Sequence, residues 1–467
     1  MNEEFGKSNH IDEPTGPVAD CIICGAGASL RMGEWKLSLP WPPSLHRSTP
    51  HEPWLADAAV AVAIEAGCRV ILVVGFRGDE LEARYAQCPG VTIVRNERWD
   101  QGMVSSIQVG LSQVRSPWFF VAHGDMPRIT ADWYKRLLAR RPATLTGNEA
   151  LALRPLYVAE NETTGQKEQH TVPGHPVLFS ASAIPLIQKA PEGDSLKTVL
   201  SACRVIPVET QDDSVVSDVD TLEQYCRALV SLTQPIVLVH EVPPASAEKG
   251  PTQPLQQAGA TALVQIITGM QGAGKTSLLR RTAFQEFINL LESDSSSRSL
   301  FFMISQVQRG RNADGKALGF DIEAFYRTAE GRLSFFKQPL CRTDPTNFSI
   351  PEPMILGPYY FKSETFTALT DWLKGAFESP ADVLYGYIDE LGKLELDQHR
   401  GLWPLFEGVL QTLSQANSGT GKHRLVCTVR HDRVNILDFY LRQRGFATGT
   451  PLSIITNIIN TPYKNIS

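Results

Sequence analysis

A glycine-rich segment directly after an apolar run constrains the fold of this 467-residue chain more than any other feature. Residues 269–276 read GMQGAGKT and fit the pattern G-x-x-x-x-G-K-[ST] at every fixed position. The run 263–268 (LVQIIT) has the character of a buried strand, and a helical pattern begins at Ser277. This strand, loop and helix order is the context that a phosphate-binding loop requires, whereas a chance glycine-rich turn does not need it.

Each residue type in this loop has a physical reason. Glycines allow successive backbone N–H groups to point into one concavity, where they bind phosphate oxygens. The predicted nucleotide-binding residues are Gly269, Gly272, Gly274, Lys275 and Thr276. We expect Lys275 to contact the outer phosphates and the Thr276 hydroxyl to ligate Mg²⁺.

The motif lies in the middle of the chain, so at least one other domain precedes it. Strand-like and helix-like segments alternate on both sides of a segment rich in Pro, Ala, Gln and Gly, which predicts two α/β domains of three layers, each with a parallel sheet covered by helices. The predicted boundaries are a disordered tail at 1–17, a first domain at 18–232, a linker at 241–260 and a second domain at 262–467.

Composition excludes several classes of protein. With 42% hydrophobic and 20% charged residues and a net charge of −6, the chain has no global attraction to nucleic acid or to an anionic membrane. Its acidic, polar N-terminus lacks the features of a signal peptide, and no apolar run approaches the ~20 residues that span a bilayer. We therefore expect a cytoplasmic protein whose eight cysteines are reduced.

Two groups of metal-ligand types do not predict metal sites. Cys21 and Cys24 form a C-x-x-C inside an apolar run without a second pair, which favours two buried residues on a core strand. His170 and His175 lie in an expected loop with no acidic or cysteine cluster nearby.

The loop after the first predicted strand combines glycines with two cations. Gly25, Gly27 and Gly33 allow close approach of a phosphate, and Arg31 and Lys36 can bracket the charge of a triphosphate. A surface turn with two solvated basic residues is the alternative.

Motifs in and after this loop resemble those of the MobA-like nucleotidyltransferases, enzymes that attach a nucleotide to the molybdenum cofactor. The matching segments, in order, are GAGASLRMGEWK at 25–36, NERWDQGMVSSIQVGL at 96–111, HGDMP at 123–127, GHPVLF at 174–179 and SDVDTLE at 217–223. The resemblance implies a Rossmann-like nucleotidyltransferase fold for the first domain.

The resemblance also implies roles for individual residues. Nucleotide contacts fall to Gly25, Ala26, Gly27, Ser29, Gly33, Gln101, Gly102 and Ser105. Arg31 and Lys36 would bind the phosphates, and Asp125 and Asp220 would hold Mg²⁺, with Asp218 in reserve. Gly174 and His175 would line the side of a molybdopterin-type acceptor. A helix cap is the structural alternative for both Asp125 and Asp220.

The nucleotide base is a finer question. Ala26 corresponds to the position at which the cytidylyl branch of this family has alanine and the guanylyl branch has glycine. This resemblance favours CTP over GTP as the donor, although Cys24-Gly25 departs from the Leu-Ala usual at the start of the motif.

In the second domain, an apolar strand at 383–389 ends in Asp389 and Glu390. Asp389 fits a Mg²⁺ partner acting through water, and Glu390 fits a base that orients or deprotonates the attacking water. The segment DELGKLEL at 389–396, with ISQVQRGRNADGKALGFD at 304–321, resembles the small nucleoside-triphosphatases first described from thermophiles. That resemblance implies a RecA-like core that hydrolyses ATP or another NTP, with Arg430 as a candidate sensor of the terminal phosphate. A solvated arginine at the end of its strand is the alternative for Arg430.

The sequence thus favours a bifunctional enzyme that transfers a nucleotide to a molybdopterin-type acceptor and hydrolyses NTP. Two alternatives remain. The first domain could only bind cofactor in an NTP-driven carrier or assembly chaperone for a molybdoenzyme, or the second domain could phosphorylate a small molecule.

Overall fold

The computed structural model divides the chain into two compact units, Met1–Ala228 and Leu229–Ser467. It describes residues 17–28, 32, 34–42, 52–142, 149–163, 166–191, 193–233, 263–270, 273–293, 298–344, 346, 353–378, 380–415, 423–448 and 452–454. The division falls within a helix that continues to Thr233, and the predicted linker at 241–260 and tail residues 1–16 lie outside the described residues.

Strands and helices alternate through the first half of the first unit, as the sequence predicts. The strands are β1 (Ala19–Gly25), β2 (Cys68–Val74), β3 (Val91–Arg95), β4 (Trp118–His123), β5 (Leu151–Thr163), β6 (Gln166–Pro173), β7 (Val177–Ser180) and β8 (Arg204–Thr210). The helices are α1 (Leu55–Glu65), α2 (Gly78–Tyr85), α3 (Met103–Leu111), α4 (Ala131–Ala139), α5 (Ile184–Lys189), α6 (Leu196–Ser201) and α7 (Leu222–Thr233).

The sheet of this unit has the order β3-β2-β1-β4-β7-β5-β6, with β8 paired to β5. Strands β3, β2, β1 and β4 are parallel, and β1 pairs with both β2 and β4. The predicted all-parallel sheet is wrong beyond β4, because β7 runs antiparallel to β4 and β5 runs antiparallel to β6 and β7. Only two residues separate β5 from β6, and so short a connection can join only antiparallel neighbours. His170 consequently lies in strand β6 and not in a loop.

The core of the first unit lies between this sheet and its helices. Ile22, Phe119 and Phe179 are fully buried, and the rings of Phe119 and Phe179 stack with centroids 5.6 Å apart across β4 and β7. Asp20 is also fully buried in β1, where it accepts hydrogen bonds from Arg69 and from the backbone N–H of Arg115. Its charge is therefore paired, as a buried carboxylate requires.

The second unit contains ten strands and five helices among the described residues. The strands are β9 (Leu263–Gly269), β10 (Ser299–Gln308), β11 (Gly319–Arg327), β12 (Leu333–Arg342), β13 (Met354–Leu356), β14 (Tyr359–Phe361), β15 (Val383–Leu391), β16 (Arg424–Arg430), β17 (Ala447–Thr448) and β18 (Leu452–Ile454). The helices are α8 (Lys275–Glu292), α9 (Ser363–Lys374), α10 (Lys393–Leu396), α11 (Trp403–Gln415) and α12 (Val434–Gln443).

The central strands of the second sheet, β10-β15-β16-β9, are parallel. Strands β11 to β14 extend it as antiparallel neighbours, so this sheet too is mixed and not wholly parallel. The carboxyl ends of the four parallel strands meet at one edge, which is where open α/β sheets bind ligands. Strand β16 lies between β9, which leads into the glycine-rich loop, and β15, which carries Asp389 and Glu390.

No described helix is both long enough and apolar enough to cross a bilayer. All eight cysteines lie in the described part of the chain and are free thiols; Cys21 is buried and Cys24 half-buried on β1, as the interpretation of this pair as core-strand residues expects.

Candidate functional site

In the first unit, two neighbouring parallel strands end side by side and deliver an acid to the edge of the sheet. Strand β1 ends at Gly25, β4 ends at His123, and the Gly124 N–H donates to the Cys24 carbonyl at 3.1 Å. A Cβ at Gly124 would lie 3.3 Å from both that carbonyl and the Leu37 side chain. The close approach places Asp125 immediately beyond the carboxyl end of β4.

A lysine joins the two predicted metal carboxylates. Lys36 Nζ lies 2.5 Å from Asp125 Oδ2 and 2.6 Å from Asp220 Oδ1. The three side chains are 13%, 20% and 24% exposed, respectively, so the cluster is largely shielded from water. Residues separated by up to 184 positions in the sequence thus form one cationic and acidic centre.

Backbone and side-chain contacts fix the segment that carries Asp220. The Val219 N–H donates to the Asp125 carbonyl at 2.9 Å, which holds the two acids next to each other. Arg128 forms an ion pair with Asp213 at 2.7 Å and donates to Ser217 Oγ at 3.0 Å. Arg128 was not predicted from the sequence, although it lies three residues after the acid of the HGDMP motif.

Charges within this centre shift two pKa values. Burial lowers the pKa of the Lys36 ammonium, but Asp125 and Asp220 outweigh that effect and raise it overall. Burial raises the pKa of Asp218, and its acidic neighbours Asp220 and Asp125 raise it further. Lys36 is therefore a cation at neutral pH, in an environment that favours positive charge.

Two histidines, His123 and His175, lie close to Asp125. The rings of His123 and His175 have centroids 4.0 Å apart, and His123 Nδ1 lies 3.9 Å from Asp125 Oδ1. Burial lowers the pKa of both imidazoles, and that of His175 also through the neighbouring His123 and Arg154. A cavity of about 10 Å³ adjoins both rings.

Gly174 and His175 are predicted from the family resemblance to line the acceptor side. The structure places Gly174 against Val215, since a Cβ at this glycine would lie 2.6 Å from the Val215 carbonyl oxygen. The His175 N–H donates to the same carbonyl at 2.8 Å. These contacts link the 174–175 turn to the segment that carries Asp220, and direct contact with an acceptor remains a prediction.

The predicted base and ribose turn is held by its own hydrogen bonds. Ser105 is 3% exposed, and its hydroxyl donates to the Gly102 carbonyl at 2.7 Å and accepts from Asn96 Nδ2 at 2.9 Å. Gly102 adopts φ +95°, a conformation that favours glycine. Gln101 Oε1 is buried and has no hydrogen-bond partner within the described residues. Ser105 therefore holds the turn together. Gln101 is the residue of this turn whose side-chain oxygen has no hydrogen-bond partner among the described residues.

The loop after β2, which was not predicted from the sequence to belong to the site, contacts Ala26 and Trp99. The Phe76 N–H donates to the Ala26 carbonyl at 3.0 Å, and the Phe76 and Trp99 rings have centroids 5.5 Å apart. A Cβ at Gly75 would lie 2.5 Å from Trp99 Cβ and 2.9 Å from Ala26 Cβ. Glycine at 75 is thus the residue that lets this loop approach the glycine-rich loop so closely.

The remaining glycines of that loop differ in their surroundings. A Cβ at Gly25 would lie 3.3 Å from the Val73 carbonyl, whereas one at Gly27 would have no atom within 4 Å. Four predicted site residues lie outside the described residues, and their roles remain predictions: Ser29, Arg31, Gly33 and Gly272.

In the second unit, the glycine-rich loop leads from β9 into α8. Gly274 adopts φ +82° and precedes Lys275, the first residue of the helix. Lys275 is 8% exposed, and its ammonium donates to the carbonyls of Gly269 at 3.2 Å and Met270 at 3.1 Å. The Lys275 side chain therefore crosses the inner side of the loop, in the concavity where phosphates are predicted to bind.

Asp389 lies against the start of the same helix. The Thr276 hydroxyl donates to Asp389 Oδ2 at 2.8 Å, and the Thr428 hydroxyl donates to Oδ1 at 2.7 Å. Asp389 is 1% exposed, and burial raises its pKa against the opposing effect of these hydrogen bonds. Thr428 lies on the neighbouring strand β16 and was not predicted from the sequence.

Glu390 follows in a strained backbone conformation. Its φ is +60°, which is uncommon outside glycine, and the pairing of β15 with β16 is irregular between Ile388 and Leu391. The Glu390 N–H donates to Thr428 Oγ1 at 2.7 Å. Burial and the charge of Asp389 raise the pKa of Glu390. Such strain at a strand end is typical of functional sites.

Two further groups belong to this edge. Arg430 pairs with Gly269 in the register of β16 and β9, and its guanidinium donates to Asp432 at 3.3 Å. Glu395, in α10, is 5% exposed and accepts hydrogen bonds from the backbone N–H groups of Gly392 and Leu402, so it holds the segment 392–402 together. Burial raises the pKa of Glu395 to about 7.

Both centres have donors that suit Mg²⁺. No cluster of three or more His, Cys, Asp or Glu side chains with metal-binding geometry occurs within the described residues. Mg²⁺ does not require one, because it is commonly held by one or two carboxylates, waters and substrate phosphates. In the first unit, the carboxylates of Asp125 and Asp220 fit a cation, since they already hold the Lys36 ammonium between them. In addition, Asp125 Oδ1 is buried and has no hydrogen-bond partner in the described structure. Thr276 and Asp389, which are hydrogen-bonded to each other, are the predicted pair of donors in the second unit.

Comparison with known proteins places the first unit. Residues 21–208 match the model of the MobA-like NTP transferase domain. The molybdenum cofactor cytidylyltransferase of Escherichia coli (strain K12) is 30% identical over 215 residues, which are 46% of this chain and 97% of that protein.

Solved structures resemble the same share of the chain. A nucleotidyl transferase from Methanothermobacter thermautotroptrophicus is 19% identical, covering 45% of this chain and 94% of its own, with a TM-score of 0.35. The homologue of Mycobacterium tuberculosis rv0371c from Mycobacterium sp. strain JC1 is 21% identical, covering 46% and 96%, with a TM-score of 0.34.

Proposed function

Because the chain belongs to the MobA-like NTP transferase family through its first unit, we propose that this unit transfers a cytidylyl group from CTP to a molybdopterin-type acceptor and releases pyrophosphate. The observation that carries the proposal is the convergence of Asp125, Asp220 and Lys36 at the edge of the sheet. The name of the Escherichia coli relative supports the choice of base and acceptor. Ala26, at the position where the resemblance favours the cytidylyl branch, is buried directly after the end of β1.

The transfer requires placement and charge more than acid–base catalysis. A terminal phosphate on the acceptor has a second pKa near ~6, so its oxygen is ionised at neutral pH and needs no strong base. That oxygen forms a new bond to the α-phosphorus of CTP while the bond between the α-phosphorus and the bridging oxygen breaks, and pyrophosphate leaves with the electron pair.

The residues of the first unit divide these tasks. Asp125 and Asp220 would hold Mg²⁺, which when bound reduces the repulsion between the terminal phosphate of the acceptor and the α-phosphate of CTP. Lys36 would neutralise charge on the departing pyrophosphate, together with Arg31. The 174–175 turn keeps the Asp220 segment in position through Val215.

The test is product formation by the full chain with each of the four NTPs and molybdenum cofactor, analysed by mass spectrometry. We expect the cytidylylated cofactor with CTP and loss of at least ~100-fold in rate for Asp125→Asn. Asp132→Asn, at an exposed position on α4, is the matched control and should retain full activity. A fully active Asp125→Asn protein would contradict the assignment.

For the second unit, we propose Mg²⁺-dependent hydrolysis of ATP or another NTP by a RecA-like core. The observation that carries it is the contact between Thr276 and Asp389 beneath the glycine-rich loop, with the strained Glu390 next to it. Glu390 would orient the attacking water, and its raised pKa suits a group that accepts a proton. Lys275 would exchange the loop carbonyls for the outer phosphates.

Incubation of the full chain with γ-labelled NTPs and no acceptor distinguishes a hydrolase from a kinase. Steady release of inorganic phosphate, lost in Glu390→Gln and retained in the control Glu364→Gln on α9, is the expected result. Inertness without a small-molecule acceptor would instead support a kinase. Unchanged hydrolysis in Asp125→Asn would show that the activity belongs to the second unit.

A further inference from the structure

The position of Lys36 conflicts with the simultaneous binding of a metal at the same point. Its ammonium is within 2.6 Å of one oxygen from each of Asp125 and Asp220, and it is 13% exposed. A divalent ion held by the same two oxygens would occupy nearly the same volume, because Mg²⁺ binds carboxylate oxygens at about 2.0–2.1 Å in general. Two cations cannot share that volume, because both sterics and charge repulsion oppose it.

A bound triphosphate would change the competition between Lys36 and a metal ion for the two carboxylates. Lys36 begins the short helical turn Lys36–Ser38 that follows the glycine-rich loop, so its flexible side chain starts next to the predicted phosphates. Phosphate oxygens would give the ammonium a new anionic partner and would supply the remaining ligands of the metal. Both effects free the two carboxylates for Mg²⁺ in the same event.

We propose that Lys36 is an internal counter-ion that occupies the metal position between Asp125 and Asp220 until a nucleotide binds, and then moves to the phosphates. The inference deepens the proposed nucleotidyl transfer and rests on it. Its consequence is that divalent metal binds weakly to the free first unit and tightly to the nucleotide complex, and the coupling is reciprocal. The device would prevent the site from collecting metal without substrate.

Direct Mn²⁺ binding, measured from the signal of free Mn²⁺ in electron paramagnetic resonance, tests this without any acceptor. In every arm the full chain carries Asp389→Asn, which removes the carboxylate of the proposed metal site in the second unit. We expect Lys36→Met to bind Mn²⁺ in the absence of nucleotide at least 10-fold more tightly than its parent. Lys135→Met, which removes an exposed lysine from α4, should leave the affinity unchanged.

A second comparison keeps Lys36 unaltered, so that it does not depend on the folding of the Lys36→Met protein. Addition of a CTP analogue with a methylene between its α- and β-phosphorus atoms should tighten Mn²⁺ binding at least 10-fold, and Asp220→Asn should abolish this gain. Equal Mn²⁺ affinity with and without the analogue, or no tightening in folded Lys36→Met, would overturn the inference. Product formation is measured separately, so coupled metal binding without cytidylyl transfer would refute the proposed function alone.

Discussion

The Thr428 hydroxyl donates to Asp389 Oδ1 at 2.7 Å and accepts the Glu390 N–H at the same distance. One threonine on the neighbouring strand therefore fixes both acids at the end of β15. Thr428 is fully buried, so no solvent can replace its hydroxyl.

We expect Thr428→Val to lower kcat for NTP hydrolysis by roughly 10- to 100-fold with a smaller change in KM, because small displacements of a catalytic group are costly. Thr428→Ser keeps the hydroxyl and should restore most of the rate. Steady-state phosphate release measures both. If the role of Thr428 were only structural, the loss of rate in each variant would follow its loss of stability, and the retained hydroxyl in Thr428→Ser would give no specific recovery.

Gly174→Ala should impair nucleotidyl transfer without affecting hydrolysis. The added Cβ would lie 2.6 Å from the Val215 carbonyl oxygen and 2.9 Å from Val215 Cβ, so the 212–220 segment must move. We expect a decrease of about 10-fold or more in transfer rate, since the shift displaces Asp220. NTP hydrolysis in the same preparation is the internal control, and an unchanged transfer rate would show that the segment does not position the acid.

The stability of the second unit should fall as pH rises from about 4.5 to above 7 because of Glu395. Its ordinary pKa is 4.5, and burial raises the folded value to about 7, so the folded state binds the proton more tightly than the unfolded state. The contribution to the unfolding free energy is on the order of 3 kcal/mol, fully present below the unfolded pKa and lost as pH passes the folded pKa.

Denaturant unfolding of the second unit between pH 4.5 and 8 tests this contribution. Glu395→Gln resembles the protonated side chain and should flatten the curve. Asp389 and Glu390, whose pKa values are also raised, are common to both proteins and cancel in the comparison. Parallel curves would be inconsistent with a proton bound at Glu395.

Two glycines within helices should respond oppositely to alanine. In α3, a Cβ at Gly110 would lie 2.8 Å from Ile22 Cγ2 and 3.1 Å from Val73 Cγ2. Overpacking should therefore lower the unfolding free energy by about 1–3 kcal/mol. The higher helix propensity of alanine offsets about 1 kcal/mol of that loss. In α11, Gly408 has no atom within 4 Å of such a Cβ, and Gly408→Ala should stabilise its unit by about 0.5–1 kcal/mol. Thermal unfolding of each unit measures both changes, and stabilisation by Gly110→Ala would mean that α3 packs less closely than observed.

Local sequence patterns predicted much of the local structure. The strands that precede both glycine-rich loops, the helices after them and the acids at the ends of β4 and β15 are where the pattern places them. Alternation of strands and helices did not predict the antiparallel parts of either sheet, because the direction in which a strand joins its neighbours depends on connection length and packing.

The sequence by itself determined which residues are predicted to carry the chemistry: the glycines, Lys36, Lys275 and the acids Asp125 and Asp389, since each motif requires those types at a fixed local spacing. Only the tertiary structure decided which of them meet. Lys36 and Asp220 are 184 residues apart, and Thr428 reaches Asp389 from another strand, so both pairs depend on strand order and on the packing of neighbouring segments. These long-range relationships leave no local periodicity, because they are created when the sheets assemble.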